Sequence, residues 1–135
     1  MLIHFYEKPG CINNTKQKRL LEQHGHRIEA HSLLEQHWNA ATLRLFFNDM
    51  PVSDWFNMAA PRVKSGEIVP DEFDEQSALA AMIQDPLLIR RPLLDAHGEL
   101  ACGFDNQLVK ELLGGNTDVS GVLSCPNMGT DTTCD

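Results

Sequence analysis

Leu2-Ile-His-Phe-Tyr-Glu-Lys-Pro-Gly-Cys-Ile-Asn-Asn-Thr-Lys16 is the stretch that decides how this chain folds. Ile3 to Tyr6 reads as a strand, Pro9-Gly10 as a turn, and Cys11 stands where a helix should begin. A thiol at a helix N-terminus faces backbone N–H groups without intrahelical partners and the positive end of the macrodipole. Both favour the thiolate, the reactive form of cysteine. Lys8 and Lys16 flank Cys11 and push the same way, so the sequence carries one chemical centre, near its start. The helix runs from about Ile12 to His24 and ends at Gly25, a plausible C′ residue. Its middle, Asn13 to Arg19, is unusually polar, and Leu20 and Leu21 supply its apolar grip. His26 to Ala30 then reads as a second strand with Ile28 inward, parallel to the first because a helix intervenes.

Asn39 is an N-cap for a helix over Ala40 to Phe47, and Pro51 opens a short helix holding Trp55 and Phe56. Residues 61–70 read as a loop. Asp74 caps an amphipathic helix, Glu75 to Gln84, with Ala78, Leu79, Met82 and Ile83 on one face, and Pro86 stops it. Leu87 to Arg90 is the expected third strand. Leu93 to Asp95 and Leu100 to Cys102 follow as strand pieces around a His97-Gly98 turn. The last helix spans about Asn106 to Leu113, capped by Asp105. The order is βαβ, a helical insert at about residues 39–84, then ββα. It predicts an α/β fold of thioredoxin-like arrangement: a small mixed sheet with helices on both faces. Residues 1–113 form one domain in this reading. Residues 114–135 hold four glycines, four threonines and no Lys or Arg, and are expected to be a disordered tail.

The bulk numbers bound the function. A chain of 135 residues with 42% hydrophobic content can bury a real core as one domain. A net charge of −8 argues against nucleic acid and against an anionic membrane surface as partners. No run approaches the roughly 20 apolar residues of a membrane span, and Met1-Leu2-Ile3 lacks the basic start of a signal peptide, so the expected location is the cytoplasm. The cysteines at 11, 102, 125 and 134 form no Cys-x-x-Cys pair; Cys102 reads as a buried small hydrophobe. The six histidines share no ligand spacing on a helix face beyond a loose His24/His26 pair, and no metal site is expected.

The strand–Pro-Gly-Cys–helix opening, the helical insert and Pro86-Leu-Leu-Ile-Arg90-Arg91-Pro92 together resemble the ArsC/Spx branch of the thioredoxin fold, over residues 2 to about 113. Within that branch, Phe5 to Thr15 and Trp55-Phe-Asn-Met-Ala-Ala-Pro-Arg-Val-Lys-Ser-Gly66 are similar to the nitrogenase-associated (NifO-like) proteins. The resemblance implies a thiol-dependent oxidoreductase. Cys11 matches the nucleophile of the arsenate reductases, Arg91 an anion-binding arginine, and Pro92 the cis-proline beside the active cysteine. Arg62 is the candidate second anion-binding arginine, and Lys8 and Thr15 are the candidates to support the thiolate. No bound cofactor is implied. Glutathione is the implied co-substrate, glutaredoxin the implied reductant, and nitrogenase components the implied partners.

The chain departs from the reductase pattern at several positions. Glu7 stands where the reductases have histidine, Cys11-Ile-Asn-Asn-Thr replaces Cys-Gly-Thr-Ser-Arg, and two family arginines fall on Asn57 and Gly103. These departures keep two other readings open: a non-catalytic adaptor for nitrogenase or its molybdenum supply, and a binder of tetrahedral oxyanions. Glu7 is a general base or a partner for Lys8 or Arg91. Cys125 and Cys134 are either unselected or able to resolve an oxidised Cys11.

Overall fold

Alternation along β1 (Leu2–Glu7) sets the layers: Ile3 and Phe5 are fully buried on one side, while His4 and Tyr6 point to the other, partly exposed. The structure is a computed structural model and describes residues 1–114; the predicted tail beyond Gly114, with Cys125 and Cys134, lies outside the described residues. From β1 the chain passes through α1 (Ile12–Gln23) into β2 (Arg27–Ser32), which pairs with β1 in parallel. β3 (Leu93–Ala96) pairs antiparallel with β1, and β4 (Glu99–Cys102) antiparallel with β3, giving the strand order β2-β1-β3-β4. The insert between the halves holds α2 (Ala40–Leu45), α3 (Pro61–Lys64) and α4 (Glu75–Gln84), and α5 (Gln107–Leu112) closes the domain. This is the thioredoxin-like α/β arrangement.

Each sheet face has its own core. Ile3, Phe5, Leu94 and Ala96 pack with Leu21 of α1 and Val109 and Leu112 of α5. On the other face Leu93 and Cys102 meet the insert, through Phe46, Phe47, Trp55, Phe56, Leu79 and Met82. Helices therefore lie on both faces. Asn39 caps α2 by accepting from the Thr42 N–H at 2.8 Å, and Asp74 caps α4 in a reciprocal box with Ser77. Both caps were legible as short polar residues just ahead of an apolar period.

Four expectations change. Leu87–Arg90 is not the third strand. Pro86–Leu88 is a 3₁₀ turn, because Pro86 lacks an N–H and the Asp85 carboxylate accepts from the Leu87 N–H at 3.3 Å. Only Ile89 retains strand pairing, as an isolated bridge to Phe56. The loop over 61–70 contains the helical turn α3, with Pro61 at its first position, where a missing N–H does no harm. α5 is capped by Asn106, which accepts from the Val109 N–H at 2.9 Å, and Asp105 instead grips Arg90. Ile83 lies at the exposed edge of its helix, 36% accessible.

Candidate functional site

Gly10 is what turns β1 into α1. Its φ of +86° is the left-handed region that a side chain disfavours, and the Cys11 N–H closes the turn on the Lys8 carbonyl at 3.1 Å. Cys11 is then the N-cap residue, extended at φ −71° and ψ 122°, with no capping bond from its side chain. Its carbonyl starts the helix by accepting from both the N–H and the hydroxyl of Thr15, each at 3.1 Å. The cysteine is buried, at the positive end of a 12-residue helix.

The polar first half of α1 is turned inward. Asn13, Asn14 and Gln17 are all buried, on the side that carries Leu21. Asn14 accepts from the Lys8 N–H at 3.2 Å and donates to Gln17 Oε1 at 2.9 Å, tying the turn to the helix. Asn13 differs. It is 4% exposed, and neither its amide nitrogen nor its oxygen has a hydrogen-bond partner among the described residues. A buried amide left in this state opposes folding by about 1–3 kcal/mol per group.

The second wall comes from β3. Tyr6 pairs with Leu93, so the chain just ahead of β3 lies at the same sheet end from which β1 leads to Cys11. There the Arg91–Pro92 peptide bond is cis, Pro92 is buried, and its carbonyl accepts from the Gly103 N–H at 2.8 Å. Arg91 Nη1 is shielded from water and has no hydrogen-bond partner among the described residues. Its neighbour Arg90 is spent structurally, donating from Nη2 to both Asp105 carboxylate oxygens at 3.0 Å. A Cβ on Gly103, where the resemblance would put an arginine, would sit 3.0 Å from Arg90 Nε, so the Arg90 side chain already fills that space.

Other sequence-derived candidates land elsewhere. Arg62 is not an open anion clamp. It donates to Asp85 at 2.9 Å and to Glu67 at 2.8 Å, and these bonds, Asp85 first, hold its guanidinium protonated above the ordinary arginine range. Two carboxylates already satisfy its fork. The Thr15 hydroxyl serves the Cys11 carbonyl rather than the sulfur. Glu7 pairs with neither Lys8 nor Arg91 but with Lys18, at 2.8 Å across the first turns of α1. Asn57 is a local brace, donating to the Leu87 carbonyl at 3.3 Å and accepting from the Ala59 N–H at 3.1 Å. Asn13 was missed, although the steps of four from Asn13 to Gln17 and from Gln17 to Leu21 marked an inward face.

Cys102 is a core residue, as its sequence context suggested. Burial pushes its thiol up to about 12, against the opposing pull of the Arg90 charge, and Sγ donates to the Arg90 carbonyl at 3.3 Å. The folded protein thus keeps a proton that the unfolded chain releases near the ordinary thiol value of 9.0. The stability from this group is complete below that pH and is lost as pH rises toward about 12. Cys102→Ala should flatten the alkaline fall of the urea midpoint relative to the parent; equal slopes would assign the fall to other groups.

Among the described residues no helix is long and apolar enough to cross a membrane. Residues 6–112 match the ArsC family. The chain is 50% identical over 131 residues to a protein of Rhodospirillum rubrum, "Uncharacterized 15.7 kDa protein in draG 3'region", covering 96% of this chain and 92% of that one. Its fold is similar to an ArsC-family-related protein from Bacteroides fragilis (TM-score 0.70, 19% identity, 83% of this chain and 99% of that one). It is similar as well to an arsenate reductase from Vibrio cholerae (TM-score 0.68, 22% identity, 84% and 98% covered). With that match running from the end of β1 to the end of α5, and with the Cys11 turn and the Arg91–Pro92 bond at the same end of the sheet, this chain belongs to the ArsC family.

Proposed function

We propose that the protein is a thiol-dependent oxidoreductase in which Cys11 is the nucleophile and Arg91 holds the negative charge of its substrate. The observation that carries this reading is Arg91 Nη1, a cationic nitrogen shielded from water and without a hydrogen-bond partner among the described residues, at the sheet end from which β1 leads to Cys11. A guanidinium nitrogen shielded from water and left without an acceptor is unfavourable, and an incoming anion would complete it. Cys11 Sγ, as thiolate, attacks the central atom of a tetrahedral oxyanion, and one oxygen leaves as water after taking up two protons. A glutathione thiolate then attacks the Cys11 sulfur. The two electrons pass to the central atom, a Cys11–glutathione disulfide remains, and glutaredoxin returns the thiol. The positive end of α1 and the charge of Lys8 favour the thiolate, and Thr15 anchors the helix start through the Cys11 carbonyl.

The similarity of Phe5 to Thr15 and of Trp55 to Gly66 to the nitrogenase-associated proteins supports reading this activity as one that serves nitrogen fixation. A second reading, a non-catalytic adaptor for nitrogenase components or their molybdenum supply, is favoured by Arg62 being held by Asp85 and Glu67, which leaves Arg91 as the one arginine to meet an anion in the proposal.

Site-resolved mass spectrometry after iodoacetamide treatment at neutral pH tests the first reading. Cys11 should react at least about tenfold faster than free glutathione, and Cys11→Ser should abolish glutathione- and glutaredoxin-coupled turnover. A Cys11 rate no higher than that of glutathione, with turnover unaffected by Cys11→Ser, would overturn it. Partner capture that survives Cys11→Ser would support the adaptor instead.

A further inference from the structure

We infer that His4, Glu29 and His31 form a binding site for one divalent first-row transition-metal ion, for which Zn²⁺ is the natural probe. The inference does not depend on the thiol chemistry. It rests on strand register: Glu29 lies directly opposite His4 in the parallel β1–β2 pair, and His31 follows two residues on, on the same face. Among the described residues no helix face gathers histidines, which is why the sequence carries no local sign of a metal site. The two strands, joined through α1, bring His4 to Glu29 and His31, which lie 25 and 27 residues further along the chain.

The donor atoms are spaced for one ion. His4 Nδ1 lies 3.1 Å from His31 Nε2 and 2.9 Å from Glu29 Oε2, and the third edge, His31 Nε2 to Glu29 Oε2, is 3.9 Å. Bonds of about 2.0–2.1 Å in tetrahedral geometry put zinc ligands about 3.3 Å apart, within the range of these edges. Hydrogen bonding alone serves the trio poorly. If His4 Nδ1–H is donated to Glu29, the His31 Nε2 lone pair faces a nitrogen whose single hydrogen is already directed elsewhere. A cation satisfies all three lone pairs at once.

The surroundings favour the same conclusion. His31 is stacked between His4 at 5.3 Å and Tyr6 at 4.9 Å, so its ring is oriented before any ligand arrives. Asp95 sits opposite His4 on the other side of β1. Side-chain exposures of 35%, 55% and 29% for His4, Glu29 and His31 leave the outer coordination position open to water. Two imidazoles and one carboxylate suit zinc, nickel or copper far better than magnesium or calcium.

The test is calorimetric titration of the full-length chain with ZnCl₂, with Cys11, Cys125 and Cys134 all replaced by serine so that thiols do not compete and a failed nucleophile hypothesis stays separate. One Zn²⁺ per chain is expected. His4→Ala/His31→Ala should weaken it at least about a hundredfold, whereas His24→Ala/His26→Ala should leave it unchanged. The His4 and His31 ring resonances of the unsubstituted site should shift together at one equivalent, a readout that does not depend on the variants folding. No stoichiometric binding, equal binding by a folded double variant, or shifts confined to other histidines would overturn the inference.

Discussion

Trp55→Ala is expected to destabilise the fold by about 3–5 kcal/mol, the range for removing a fully buried aromatic side chain from a core. Trp55 is completely inaccessible and stacks on Phe47 at 4.5 Å with the rings within 7° of parallel. The Arg44 guanidinium covers the indole, 4.9 Å from its centroid, and Nε1 donates to the Met50 carbonyl at 2.9 Å. Truncation therefore opens a cavity, removes the ring beneath a cation that also bridges α2 to Glu75 at the start of α4, and leaves a carbonyl unpaired. Trp55→Phe keeps most of the stack and loses only the indole bond, so it should lose about 1–3 kcal/mol. Urea unfolding separates the two: midpoints should fall in the order parent, Phe, Ala. A loss below about 1 kcal/mol for alanine would mean that the insert collapses around the gap.

What could be read from the sequence divides by how local the cause is. β1, α1 and the β3–β4 hairpin follow from two-residue alternation, the Pro9-Gly10 turn and His97-Gly98, all short-range signals. Leu87–Arg90 misleads because four residues of strand-like composition sit beside Pro86 and Asp85, whose backbone and side-chain bonding impose a 3₁₀ turn. The same run is still buried at Leu88 and Ile89, so its apolar character was read correctly and its geometry was not.

The site divides the same way. Cys11 at its helix start is visible as a local pattern, whereas Arg91 ahead of Pro92 enters only through the family resemblance. Nothing local shows that Arg62 would meet Asp85, 23 residues away, or that Lys18 rather than Lys8 would neutralise Glu7. The His4–Glu29–His31 trio exists only through register between strands. Long-range pairing is what converts residue types into roles here, and it is the level at which pattern reading stops.

Arg91→Met is expected to separate binding from stability. A hydrogen bond to a charged partner contributes about 1.5–3 kcal/mol, so oxyanion affinity should fall by about 10–150-fold. Stability should hold or rise by up to about 1 kcal/mol, because a similar-sized apolar side chain removes a shielded cationic nitrogen that has no partner among the described residues. Arg90→Met supplies the contrast. It breaks the two 3.0 Å bonds to Asp105 and the 3.4 Å bond to the Asp54 carbonyl. Its ion pair is partly exposed, so the loss should stay near 1 kcal/mol, with oxyanion affinity little changed. Calorimetry with arsenate, molybdate and phosphate, run beside thermal unfolding of both variants, reads the two axes independently. Should Arg91→Met unfold the protein more than Arg90→Met does while leaving the anion heats intact, Arg91 would be a structural brace and the substrate charge would have to be met by the helix start alone.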